Sequence, residues 1–203
     1  LRPWVGARLS SPENIPAQNQ PNGAVRDRGA VVDALFPGGP ADLAGLMLGD
    51  RIITLNEQVV PDSIDFTFRV ASLKIAEIID ISVDRNGMEM IFSFPVDALP
   101  GTDSRSIRGP SKLLNGILLG ELSPSLADSL GLDPMQTGIV VLESNGLGTY
   151  DRPRLEIGDI LVKINNQVID GFEQVATSVE DLRRDWKVRV LRNGIEIIFD
   201  VFL

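Results

Sequence analysis

Leu48-Gly49-Asp50-Arg51-Ile52-Ile53-Thr54-Leu55-Asn56 returns, about half a chain length later, as Ile157-Gly158-Asp159-Ile160-Leu161-Val162-Lys163-Ile164-Asn165. In a chain of 203 residues, that spacing predicts two copies of one domain. Gly49-Asp50 reads as a tight turn, and Arg51 to Asn56 as a strand of alternating character. A second matched pair, Arg85-Asn86-Gly87 and Arg192-Asn193-Gly194, carries the Asn-Gly step of a primed hairpin turn. Half of the chain suffices for a small independent core.

Upstream of the turn, Ala30 to Phe36 is an apolar, β-branched strand that Pro37-Gly38-Gly39-Pro40 ends. Pro40 to Leu46 fits a short helix with proline in its first turn and Gly45 as its left-handed stop. Ser11 to Arg28, rich in Pro, Asn, Gln and Gly, reads as a long loop. Downstream, Val59-Val60 is a short strand, and Asp62 caps a helix running to about Leu73. Phe66 and Val70 share one face of that helix at i, i+4. Glu77 to Asp84 alternates apolar and polar residues, and Met88 to Val96 is the returning strand. Residues 98–114 mix Pro, Gly, Ser and charge and read as a flexible linker. The second half repeats the order, from a strand at Gly116 to Leu122 to a last strand at Ile195 to Phe202. Expected domains are therefore 1–97 and 115–203, in a mainly β fold with short helices.

The composition excludes several functions. A net charge of −9 without a basic cluster disfavours nucleic acid as a partner. No apolar run reaches membrane-spanning length, so no membrane insertion is expected. No export signal opens the chain, and a start at Leu1 suggests a mature product or an excised fragment. The chain has neither His nor Cys. It can assemble no Ser-His-Asp or Cys-His triad and no His- or thiolate-ligated metal site. No catalytic residue, metal or cofactor is expected. Asp42, Asp50, Asp62 and Asp65 stand at turn and cap positions where Asp is common anyway. Ser111-Lys112 resembles a Ser-Lys dyad only as adjacent letters.

The set Gly38-Gly39-Pro40-Ala41, Ala44-Gly45-Leu46, Leu48-Gly49-Asp50-Arg51-Ile52 and Arg85-Asn86-Gly87 resembles a PDZ domain in its bacterial, circularly permuted form. The resemblance implies two PDZ-like domains in tandem, each a partly open β-barrel or sandwich. Tandem PDZ domains, with Arg2-Pro3-Trp4-Val5-Gly6-Ala7 at the start and Leu122 to Leu132 opening the second copy, resemble the C-terminal part of HtrA/Deg serine endoproteases. By that resemblance the parent is a periplasmic quality-control protease of a Gram-negative bacterium, and the partners include its trypsin-like protease domain. A homo-oligomer, trimer or higher, is implied for the parent.

A PDZ domain binds an extended peptide as an added strand, and backbone N–H groups at a glycine turn can hold a terminal carboxylate. In the first copy, the turn is placed at Trp4, Val5 and Gly6, the edge strand at Ala7, Arg8 and Leu9, and the facing helix wall at Ser63, Thr67 and Val70. The alternative is that Trp4 and Val5 are core and no ligand enters. In the second copy, aligning Leu9 with Leu122 puts Leu119 where the first has Gly6, which weakens the case for carboxylate binding there. Its candidate groove is Ile117, Leu118 and Leu119 with Phe172 and Ala176.

The expected function is a non-catalytic module that binds substrate C-termini or exposed apolar segments by strand addition. Two alternatives stand beside it: an assembly module without a peptide ligand, and the PDZ part of a C-terminal processing or site-2 protease.

Overall fold

The computed structural model describes residues 2–11, 29–101, 104–110, 113–144, 154–179 and 185–202. Contacts divide it into two compact units, Leu1–Leu99 and Pro100–Leu203.

The first unit runs β1 (Pro3–Trp4), β2 (Ala7–Ser10), β3 (Ala30–Leu35), α1 (Pro40–Ala44), β4 (Arg51–Leu55), β5 (Gln58–Val59), α2 (Ser63–Ala71), β6 (Ile78–Arg85), β7 (Met88–Pro95) and β8 (Asp97–Ala98). Its main sheet has the order β2-β3-β4-β6-β7, with β5 paired to β4. The small antiparallel pair β1–β8 stands apart. Local chemistry accounts for these elements. Pro40 opens α1, and Gly45 closes it at φ 93°. The Asp62 side chain accepts the Asp65 N–H at 2.8 Å and caps α2, while Phe66 and Val70 turn inward. Asn86 and Gly87 both take positive φ, 55° and 84°, and join β6 to β7 in the primed turn their sequence calls for. Ile79, Ile81 and Val83 of β6 enter the core beside Val32, Ile52 and Phe66. Ser82 departs from simple alternation: it is buried and shares a 2.7 Å hydrogen bond with Thr54.

The second unit runs β9 (Ser106–Arg108), β10 (Ile117–Glu121), α3 (Pro124–Ser129), β11 (Ile139–Ser144), β12 (Ile160–Ile164), β13 (Gln167–Val168), α4 (Phe172–Val179), β14 (Asp185–Arg192) and β15 (Ile195–Phe202). The sheet order is β15-β14-β12-β11-β10-β9, with β13 beside β12. One core gathers Leu119, Val141, Leu161, Val175 and Val188. A smaller cluster of Leu122, Ala127, Val140 and Ile160 packs with α3. Among the described residues, both units are mainly β, with short helices and no closed barrel.

Residues 98–114 differ from a free linker. Ala98 belongs to β8, residues 106–108 form β9, and Leu113 and Leu114 are buried in the second core. Pro100 O accepts the Ser125 N–H at 3.0 Å, and Ser123 Oγ donates to Gly101 O at 2.7 Å. Composition alone called the stretch solvated, but its few apolar residues are the ones that pack. Within it, Ser111 and Lys112 lie outside the described residues, as does the loop over 12–28.

Candidate functional site

In the first unit, β2 terminates its sheet: among the described residues its only strand partner is β3. Such an edge carries outward-facing N–H and C=O groups that another strand can use. Gly6 sits immediately before it at φ 74°, a conformation costly for a side-chain-bearing residue. The turn is tied down through its carbonyls. Phe36 N–H donates to Gly6 O, and Ala41 N–H to Val5 O, each at 2.9 Å. Among the described residues, these loop bonds engage the carbonyls of Val5 and Gly6 rather than their N–H groups, and consecutive N–H groups in a positive-φ turn form an anion-binding concavity.

The predicted residues take distinct roles here. Ala7, Arg8 and Leu9 lie on the edge strand. Arg8 Nε donates to Asp33 Oδ1 at 2.7 Å, and Ser10 Oγ hydrogen-bonds the same carboxylate. Leu9 packs inward on the core. The Trp4 ring meets Phe36 edge-on, with centroids 5.2 Å apart. Val5 is buried, so any contribution from it is through its backbone. On α2, Ser63 Oγ is 3.3 Å from Ser11 Oγ, which brings the end of β2 to the first turn of the helix. Thr67 is exposed and its hydroxyl donates to Ser63 O. Val70 faces the core rather than solvent. Ser10, Ser11 and Asp33 were not among the predicted residues. Polar residues on a short strand give no periodic signal to single them out.

In the second unit the strand of the candidate groove already has two neighbours. β10 is paired on both sides, to β11 and to β9. Ile117 and Leu119 are buried, Leu118 is half-buried, and the outer edge they were expected to offer already holds residues 106–108. Phe172 and Ala176 are half-buried on α4, and the Arg105 guanidinium lies 5.7 Å from the Phe172 ring centroid.

The strand registers also revise the alignment of the two copies. A bulge falls between Arg8 and Leu9 in β2, and between Leu118 and Leu119 in β10. Leu9 pairs with Val32, and Leu119 with Val141. Leu119 therefore corresponds to Leu9, and Gly116, at φ 83°, corresponds to Gly6. Both units keep the glycine turn. Leu-Ser repeats at Leu9-Ser10 and Leu122-Ser123, but the pairing register does not follow those letters.

The acidic residues are engaged separately. Asp42 accepts the Gly38 N–H, Asp62 caps α2, and Asp65 pairs with Arg69 at 2.8 Å. Asp50 is buried and holds Arg85 through two bonds of 2.7 Å, while Arg85 also donates to Gly45 O at 2.8 Å. Asp159 holds Arg192 in the same way, at 2.6 and 2.7 Å. The hydrogen bonds to these carboxylates raise both guanidinium pKa values, against an opposing effect of burial. The repeated Gly-Asp turn and the repeated Arg-Asn-Gly hairpin are thus the two halves of one structural lock.

No family model matches the chain. A "Probable periplasmic serine endoprotease DegP-like" from Marinomonas sp. (strain MWYL1) is 29% identical over 198 residues, covering 95% of this chain and 40% of the relative. A protein of the same description from Ectopseudomonas mendocina (strain ymp) is 29% identical over 200 residues, covering 95% and 41%. The homologues of this chain are DegP-like periplasmic serine endoproteases. The chain spans about two fifths of their length. Among solved structures, the HtrA-type protease AlgW with decapeptide aligns at 30% identity and TM-score 0.44, covering 49% of this chain and 30% of that one. The HtrA3 PDZ domain bound to a phage-derived ligand (FGRWV) aligns at 21% identity and TM-score 0.39, covering 47% and 86%.

Proposed function

We propose that this chain is the non-catalytic, tandem PDZ-like part of a periplasmic HtrA-type serine endoprotease, and that its first unit captures substrate C-termini or exposed apolar segments. The observation that carries the reading is β2, which among the described residues pairs on one side only and is led by a positive-φ Gly6 turn held through its carbonyls. An incoming strand pairs with Ala7 to Ser10, and its carboxylate sits on the turn amides. Anion capture by backbone N–H groups needs no basic side chain, which suits a chain of net charge −9. Ser63 and Thr67 form the facing wall, with Leu9 and Val70 flooring it from the core. One buried apolar peptide side chain contributes roughly 1.5–3 kcal/mol, well short of the roughly 8 kcal/mol of a micromolar complex, so the strand ladder and carboxylate contacts supply most of the affinity and single-site binding is weak.

The catalytic chemistry lies in the protease domain of the parent chain, since a chain without His or Cys holds no such triad. The first domain ends near Leu99, and the second begins with the segment leading into β9. The parent assembles as a homo-oligomer.

The test is titration of the full chain with peptides ending in apolar residues, read at the backbone amides of Gly6 to Arg8 by NMR. Saturable shifts there, lost when the peptide C-terminus is amidated, support the reading. An unresponsive edge with every such peptide sinks it.

A further inference from the structure

We infer that residues 105–108 are an intramolecular ligand of the second unit, and that its β10–α4 groove is a binding site for extended segments of the pattern Arg-x-Ile. β9 runs antiparallel to β10, pairing Arg108 with Leu118, Ile107 with Leu119 and Ser106 with Gly120. The ladder is closed at both ends, by Glu121 N–H to Arg105 O and Gly109 N–H to Ile117 O, each 2.9 Å. Opposed residues of an antiparallel pair point to one face. Leu119 is fully buried, so Ile107 faces the core, and it packs on the cluster that contains Leu119 and Val175 together with Phe172. Arg105, two residues earlier, lies on the same face, and its guanidinium meets the Phe172 ring. Ser106 and Arg108 project to the other side and are exposed. Two alternate side chains thus read the groove while the backbone supplies the ladder, which is the manner of a strand-addition ligand.

The hold is light. One apolar side chain is anchored, and the Arg108–Glu143 ion pair is largely exposed on both sides and so contributes little. What favours the docked state is the tether: Pro100 and Gly101 are fixed at the start of α3, so the segment never leaves the neighbourhood. With an effective concentration on the order of 1 mM against an intrinsic Kd on the order of 10 µM, a peptide in trans binds roughly 100-fold more weakly than to a vacated groove.

The inference uses the strand-addition mode of the proposed function, but its readout is confined to the second unit, so the two fail separately. The probe is the acetylated, amidated hexapeptide Ser-Arg-Ser-Ile-Arg-Gly, copied from residues 104–109. Added to the full chain carrying Ile107→Asp, it is expected to shift the Leu118 to Gly120 amides saturably. The unsubstituted chain should need about 100-fold more peptide. A folded I107D chain that gives no response at those amides overturns the inference, as does equal binding by the unsubstituted chain. Hydrogen exchange on the unsubstituted chain provides a second test that needs no variant. Glu121 N–H bonds outward to Arg105, while its neighbour Leu122 N–H bonds inward to Gly138 O at 2.8 Å. Glu121 and Gly109 should exchange at least about 10-fold faster than Leu122, reporting local release of β9. Equal protection would make β9 a fixed part of the sheet and overturn the inference.

Discussion

Asp50 and Arg85 lie far apart in sequence, yet they form a doubly hydrogen-bonded ion pair on a buried carboxylate, and Asp159 with Arg192 repeats it. Each carboxylate is buried with its remaining capacity used locally: Met47 N–H bonds Asp50 and Glu156 N–H bonds Asp159, each at 2.8 Å. Removing one partner leaves a buried charge uncompensated, at about 3–5 kcal/mol. Arg85→Ala should therefore lower the urea-unfolding free energy by about 3 kcal/mol, the low end because its side chain is partly exposed. The pH sign follows from the raised guanidinium pKa values. Stability from a raised group is present below its unfolded pKa and lost only as pH rises through the folded one. Urea midpoints should therefore show no loss attributable to Arg85 or Arg192 between neutral and moderately alkaline pH. Gly6 makes the other residue-scale prediction. A Cβ there would stand 3.2 Å from both Gly39 Cα and Pro40 Cδ, at positive φ. Gly6→Val should cost about 1–3 kcal/mol of stability. It should also weaken C-terminal peptide binding at least about tenfold in a fluorescence titration, because the turn amides move. Undiminished binding by a folded variant would remove the turn from the site.

At the level of elements, α2 depends on its cap. Asp62→Ala deletes the bond to Asp65 N–H and should cost about 1 kcal/mol in thermal unfolding. Peptide affinity should fall modestly with it, since Ser63 stands in the first turn that frays. Strands, helices and hairpins were legible from the residues because each carries a local signature. Asp62 before Phe66 and Val70, Pro40 and Gly45 around a short helix, and Asn86-Gly87 between two alternating runs are all read within a few residues. β9 has no such signature. Arg105-Ser106-Ile107-Arg108 shows one apolar residue among polar ones, too short for a period, so it reads as solvated chain.

For the whole molecule, the proposed division of labour predicts that this chain alone does not turn over unfolded casein. Measurable hydrolysis by the purified 203-residue chain would refute it. The sequence by itself determined the duplication, the kind of fold and the absence of a histidine- or cysteine-based site, because these follow from repeated letters, local periodicity and residue inventory. It also held both halves of the Asp–Arg lock without showing that they meet. Only the tertiary structure decided that β10 pairs on both sides while β2, among the described residues, pairs on one, and that Gly116 rather than Leu119 matches Gly6. Strand pairing joins residues distant in the chain, and a bulge of one residue changes which side chains correspond. No local pattern records that register, so the difference between the two units became visible only where β9 meets β10.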